Sequence, residues 1–200
     1  MKLYIIRHGE TTWNKEKRLQ GQSDIELNEY GVELAKITSE ALKNIDFRYI
    51  FSSPLKRAYH TAEILRRNRD VYIVTDDRIK EACFGINEGL TPNEVTADFH
   101  LFFDAPDKYI PAKGGETYEQ ICSRSQDFIE NVLIPLSLKD PDCNVLITSH
   151  GALIKSMLIY FKHLQIKNIW DGEFPKNCCA YVVDINGHQF NVLEEAKIYY

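Results

Sequence analysis

Two histidines and two arginines occupy one kind of position in this chain, the point where a short apolar run gives way to polar residues. Residues 3–6 lead into Arg7-His8-Gly9-Glu10, residues 49–52 into Ser53 with Arg57 four positions on, and residues 144–148 into Ser149-His150-Gly151. If each run is a strand, these groups gather in one crevice, because ligands of open α/β sheets bind beyond the carboxyl ends of the strands. Helices starting just after such strands add partial positive charge from their N-termini. An anionic oxygen is the natural ligand. Two guanidinium forks can hold a phosphoryl group, and a histidine between them can attack it when its imidazole is neutral and correctly turned. Neighbouring cations favour the neutral ring, and a hydrogen bond to its other nitrogen sets the tautomer. A second histidine, if protonated, becomes one more donor to the charge that develops on the equatorial oxygens.

The elements that must position these groups are legible as an alternation. Residues 3–6, 49–52, 71–75 and 144–148 are β-branched or aromatic runs of the kind buried on both faces of a sheet. Between them Leu34, Ala35, Ala41, Leu42 and Ile45 recur on one helical face after Asn28, and Leu55, Ala58, Ala62 and Leu65 after Ser53-Pro54, a serine cap followed by proline at the first helical position. A third helix is expected over 117–133 and a fourth over 152–161. The predicted fold is α/β, a three-layer α/β/α sandwich with a mainly parallel sheet. Asn186-Gly187, between two strand-like runs, predicts an antiparallel hairpin at an edge near the C-terminus. Residues 88–115 are the least regular stretch and the candidate lid.

With 200 residues the chain is expected to be one domain, 1–200, and 44% hydrophobic against 26% charged residues suits a packed core without disulfide staples. A formal charge of −5 is a poor footprint for nucleic acid or an anionic membrane, though it allows one concentrated basic pocket. The N-terminus is too short in apolar residues for a signal peptide, and no run approaches a membrane span. Five cysteines without a C-x-x-C pair argue against a zinc knot or a disulfide framework. The expectation is a reduced, soluble, cytoplasmic protein, with a homodimer left open.

Several further strings carry a resemblance. RHGETTWN with RLQGQSD at 18–24, SSPLKRAYHTA at 52–62, EACFGINEG at 81–89, GGET at 114–117 and TSHGALI at 148–154 resemble, in order, the motifs of the histidine phosphatase superfamily, in its phosphoglycerate mutase-like branch. The resemblance implies that His8 is the nucleophile that becomes a phosphohistidine, with Arg7, Arg57 and His150 binding the transferred group. It implies that Glu81 protonates the leaving oxygen and then activates water, its pKa raised by burial. Asn14, Gln20 and Gly21 line the same pocket in the family, and Gly151 stands beside His150 at the strand end. No metal or other cofactor is required. Two departures stand out: Asn87 replaces a tryptophan common before the final Glu-Gly, at a position expected to pack, and Ile25-Glu26-Leu27-Asn28 replaces Pro-Leu-Thr, with Asn28 able to cap instead.

A metal site from His8, His150 and Glu81 is the competing constellation, and Arg7 and Arg57 count against it, because a divalent ion beside two cations would need more carboxylates. His60, His100, His163 and His188 are expected at the surface or in packing, Glu10 to orient an arginine, Cys178-Cys179 to fill the core, and the arginines at 66, 67 and 69 to suit a helix C-terminus. Within the family the outcome is hydrolysis or transfer. The span from Glu81 to Gly114 is short beside that of the mutases, and residues 88–112 hold one base, Lys108, against five acids. The expectation is therefore a histidine acid phosphatase-type phosphomonoesterase acting on a small phosphorylated metabolite. A cofactor-dependent mutase and a non-catalytic phospholigand-binding protein are the alternatives. Phe99, Leu101, Phe102, Phe103 and Tyr109 would either cover the substrate's organic part or pack the lid down.

Overall fold

In the computed structural model, which describes all residues 1–200, the elements run β1 (Lys2–Arg7), α1 (Thr12–Lys15), α2 (Glu29–Ala41), β2 (Phe47–Ser52), α3 (Lys56–Arg66), β3 (Ile73–Thr75), α4 (Leu101–Asp104), α5 (Tyr118–Phe128), α6 (Ile134–Lys139), β4 (Asn144–Ser149), α7 (Gly151–Phe161), β5 (Ala180–Asn186) and β6 (Gln189–Lys197). The strands form one six-stranded sheet in the order β3-β2-β4-β1-β5-β6. β1, β2, β3 and β4 are mutually parallel, whereas β5 and β6 run antiparallel at one edge.

The central strands are apolar throughout because both faces are covered. Leu3, Ile5, Val145 and Ile147 point to the side where Phe128 of α5 and Leu153 and Met157 of α7 pack. Tyr4, Ile6 and Leu146 point the other way, against Leu42 beyond α2 and Ala62 and Leu65 of α3. The result is the expected α/β/α sandwich, each fully buried Leu or Ile contributing roughly 1.5–3 kcal/mol. No helix is long and apolar enough to cross a membrane.

Local signals hold with three adjustments. Asn28 caps α2, its side chain accepting from the Gly31 N–H at 2.7 Å. Ser53-Pro54 does not open α3, which begins two residues later. Ser53 Oγ accepts from the Leu55 N–H at 3.3 Å, but its backbone is still tied to β4 through the Thr148 carbonyl. The third helix starts on a Thr117 capping box as expected. It then widens into a π turn at Ile129–Leu133 and continues as α6, where Pro135 has no N–H for a regular α bond. The hairpin loop is shifted by one residue: Asn186 pairs with Gln189, so Gly187-His188 makes the turn, with Gly187 at φ +55°.

Candidate active site

Parallel register places three strand ends side by side. Arg7 lies opposite Ser149 and Ser52 opposite Thr148, so β4 sits between the chain turns that carry His8 and Ser53. The His8 N–H donates to the Ser149 carbonyl at 2.9 Å, and the rings of His8 and His150 stand 5.1 Å apart.

His8 is 2% exposed. Its Nδ1 is 2.7 Å from the Gly9 carbonyl oxygen, which can only accept, so Nδ1 carries the proton and Nε2 keeps its lone pair. Nε2 makes no hydrogen bond within the protein. Burial and the positive charges of Arg57 and Arg7 hold the imidazole pKa well below its ordinary value, so the ring is neutral. Gly9 is fixed in turn: its N–H donates to Thr61 Oγ1 at 3.0 Å, and a Cβ there would come within 2.5 Å of the Gly31 carbonyl.

Arg57, completely buried, spends its two terminal nitrogens on the carbonyls of Ser23 (2.8 Å) and Gly21 (2.7 Å), and desolvation brings its pKa down to about 10. Arg7 donates through Nη1 to the Pro175 carbonyl, and its guanidinium stands 5.9 Å from the Phe174 ring centre. What remains is distinctive. Arg7 Nε, Arg57 Nε and His150 Nδ1 are all buried and all without a partner, as is Gln20 Oε1. Buried polar atoms are almost always satisfied, so three orphaned nitrogens on the residues around His8 mark a place where an anion belongs. His150 does not meet the condition of protonation under which it would add a charged donor. Desolvation, then Arg57, His8 and Arg7, hold its pKa well below the usual value, so it donates as a neutral ring.

Glu81 sits across from the start of α7. Its Oε1 accepts from the backbone N–H groups of Ala82 (2.9 Å), Ala152 (3.1 Å) and Leu153 (3.3 Å). The carboxyl is half-buried and faces the N–H groups at the start of α7. Arg124 holds the segment, donating to the carbonyls of Arg78, Lys80 and Glu81 at 2.6–2.9 Å while paired with Glu116, whose Oε2 accepts from the Cys83 N–H. Glu88 clips the facing loop by accepting from the backbone of Gln22, Ser23 and Phe84. Sequence reasoning missed Arg124 and Glu116 as supports. For Glu116 the only signal was its place in GGET, and for Arg124 there was none.

Asn14 Oδ1 accepts from Thr11 and Asn177, leaving its Nδ2 free beside a cavity of about 120 Å³. Gln20, Gly21 and Gly151 line that cavity with Arg7 and Glu81. His8, Arg57 and His150 are not among its lining residues. The outer wall is aromatic, with Phe84, Phe102 and Phe103 facing Trp170 and Phe174 from the loop before β5. Of the lid aromatics, Phe99, Phe102 and Tyr109 pack the lid down onto the core, and Phe102 and Phe103 line the cavity. Asn87 packs, as expected, and exchanges two hydrogen bonds with Thr96. Glu10 binds Asn28 Nδ2 at 2.8 Å and no arginine. His60, His100, His163 and His188 are exposed, and Cys178 and Cys179 are buried beside β1.

Such a crevice at the strand ends of an α/β/α sandwich, built around a neutral histidine and unpartnered buried nitrogens, suits an anionic group. The chain belongs to the histidine phosphatase superfamily (branch 1), whose family profile matches residues 3–197. It is 36% identical over 154 residues to the phosphatase PhoE of Bacillus subtilis (strain 168), covering 77% of this chain and 74% of that one. It is 29% identical over 174 residues to phosphoserine phosphatase 1 of Hydrogenobacter thermophilus, covering 85% and 80%. The solved structure of Bacillus stearothermophilus YhfR superposes with a TM-score of 0.91 at 30% identity over 98% of this chain and 97% of that one. The two curated relatives carry the names of phosphatases.

Proposed function

We propose that the chain is a phosphomonoesterase that hydrolyses a small phosphorylated metabolite through a phosphohistidine on His8, as one domain over 1–200 with residues 88–115 as its lid. The observation that carries this reading is the free Nε2 of a neutral His8 among the orphaned nitrogens of Arg7, Arg57 and His150. In the first step Nε2 attacks phosphorus, the ester P–O bond breaks, and Glu81 gives its proton to the leaving oxygen. In the second, water attacks the phosphohistidine, Glu81 takes the water's proton, and inorganic phosphate leaves a neutral His8. Arg7, Arg57 and His150 meet the charge on the equatorial oxygens in both steps. Asn14, Gln20, Gly21 and Gly151 border the bound ester.

The chemistry so drawn uses no metal or organic cofactor, and two guanidinium groups make the site a poor one for a divalent cation. The aromatic wall suits the organic part of a monoester. Arg18, the cavity's other lining cation, is already paired with Glu16 at 2.7 Å and with the Gly89 carbonyl, which speaks against a second phosphate and so against the mutase. Five free cysteines suit a reducing, cytoplasmic setting. A phosphate-release screen over small phosphorylated metabolites with EDTA present tests the proposal. Release that His8→Ala abolishes is expected. Movement of phosphate without release would favour the mutase, and turnover surviving in His8→Ala would overturn the mechanism.

A further inference from the structure

The neutral state of His150 raises a question that burial alone does not answer, namely which of its nitrogens bears the proton. A phosphoryl oxygen can be met only by an N–H, and the unpartnered nitrogen is Nδ1. We infer that Ser53 is the positioning residue that sets this tautomer, its hydroxyl donating to His150 Nε2 so that Nδ1–H is left for the phosphoryl group. This deepens the phosphatase reading and rests on it for its catalytic consequence, though not for the tautomer itself.

Hydrogen-bond accounting supports the assignment. Ser53 Oγ is 2.8 Å from His150 Nε2 and accepts from the Leu55 N–H at 3.3 Å, and both side chains are completely buried. A serine hydroxyl has one proton to give and two lone pairs. If Nε2 carried the hydrogen, Ser53 Oγ would accept twice and its own proton would have no acceptor, while the Nδ1 lone pair would face the anion. With the hydrogen on Nδ1, Ser53 accepts from Leu55 and donates to Nε2, and the single unmatched group is a donor beside the phosphoryl site. The first arrangement buries two unsatisfied groups and repels the ligand, whereas the second buries one that the ligand satisfies.

The surrounding backbone holds Ser53 to this task. Its N–H donates to the Thr148 carbonyl at 3.0 Å, and its carbonyl accepts from Ser52 Oγ at 2.8 Å, which itself accepts from Thr148 Oγ1 at 2.9 Å. The hydroxyl thus hangs from the junction of β2 and β4, one position past the end of β2 and beside the end of β4, which His150 follows directly. The nucleophile has its tautomer set by a carbonyl and the second histidine by a hydroxyl; both rings carry the proton on Nδ1, and they differ in the nitrogen left for the phosphoryl group, the Nε2 lone pair of His8 and the Nδ1–H of His150.

The test is the imidazole ¹⁵N spectrum of histidine-labelled protein, read alongside hydrolysis of 4-nitrophenyl phosphate and inhibition by orthovanadate. In the unmodified chain His150 should show a protonated Nδ1 and an unprotonated, hydrogen-bonded Nε2. Ser53→Ala should transfer population to Nε2–H, lower kcat by about 10- to 100-fold and weaken vanadate inhibition, less than the loss of a whole oxyanion donor. Ser53→Thr, which keeps the hydroxyl, should restore the tautomer and most of the lost rate. An Nε2–H tautomer in the unmodified chain, an Nδ1–H tautomer that survives Ser53→Ala, or an unchanged kcat in that variant would each overturn the assignment. A chain without phosphatase activity would refute the proposed function while the ¹⁵N spectrum still decided the role of Ser53.

Discussion

Replacing Arg57 by lysine keeps the positive charge and removes the fork, which makes it a sharp probe of how the phosphoryl site is built. The guanidinium holds the Ser23 carbonyl at 2.8 Å and the Gly21 carbonyl at 2.7 Å and keeps a buried, unpartnered Nε, which in the proposed mechanism serves the phosphoryl group. One ammonium at the end of a lysine cannot reach three acceptors in those directions. If it keeps the phosphoryl group, at least one carbonyl loses a charge-assisted bond, a loss of about 1.5–3 kcal/mol of stability. If it keeps the loop, the transition state loses a bond of similar worth, and kcat/KM falls by about 10- to 150-fold. Urea denaturation and 4-nitrophenyl phosphate kinetics on the same preparation read both terms, and the two losses should trade against each other. Arg57→Gln is the electrostatic control. Arg57 is the strongest charge holding the His8 pKa down, so its removal should move the acid limb of kcat/KM to higher pH, whereas the lysine variant should leave that limb in place. Arg57→Lys with kcat/KM and stability both within twofold and 0.5 kcal/mol of the unmodified chain, roughly the scatter of neutral surface changes, would refute the reasoning.

Other consequences follow from the same geometry. His8 and His150 are both held well below the ordinary histidine pKa, so the unfolded chain takes up protons near pH 6.5 where the folded chain does not. Stability from this source is whole above about pH 6.5 and is lost as pH falls from there towards the folded values, at up to about 2.7 kcal/mol per pH unit for the pair. Urea midpoints between pH 7.5 and 5.5 should show the decline, with a shallower slope in His150→Gln. Glu88→Gln should loosen the clip on the Gln22-Ser23 loop, since an amide nitrogen would face backbone N–H donors. A loss of about 1–3 kcal/mol, or roughly 2–10 °C in Tm, is expected, together with a raised KM.

What could be read from the sequence is what local chemistry dictates. Apolar runs ending in Arg7-His8, Ser52-Ser53 and Ser149-His150 foretold both the sheet and the crevice, because strands covered on both faces must be apolar and ligands gather at their ends. The environment of Glu81 was not legible, since it depends on α7 N–H groups some 70 residues away and on Arg124, whose hydrogen bonds exist only after α5 has packed. Nor was the Trp170 and Phe174 side of the aromatic wall. Trp170 and Phe174 lie in an irregular loop with no periodicity to mark them, and they reach the cavity through tertiary packing against Phe102 and Phe103. The hairpin slipped by one residue because cross-strand pairing, more than the Asn-Gly preference alone, chooses which two residues turn.

The central claim is that His8 Nε2 takes the phosphoryl group. Rapid acid-free quenching of the chain during turnover of ³²P-labelled monoester, followed by peptide mapping, tests it directly. The account predicts an acid-labile, alkali-stable phosphate on the peptide that carries His8, attached at Nε2 and absent from His8→Ala. Label on any other residue, or undiminished metal-free turnover in His8→Ala, would contradict it.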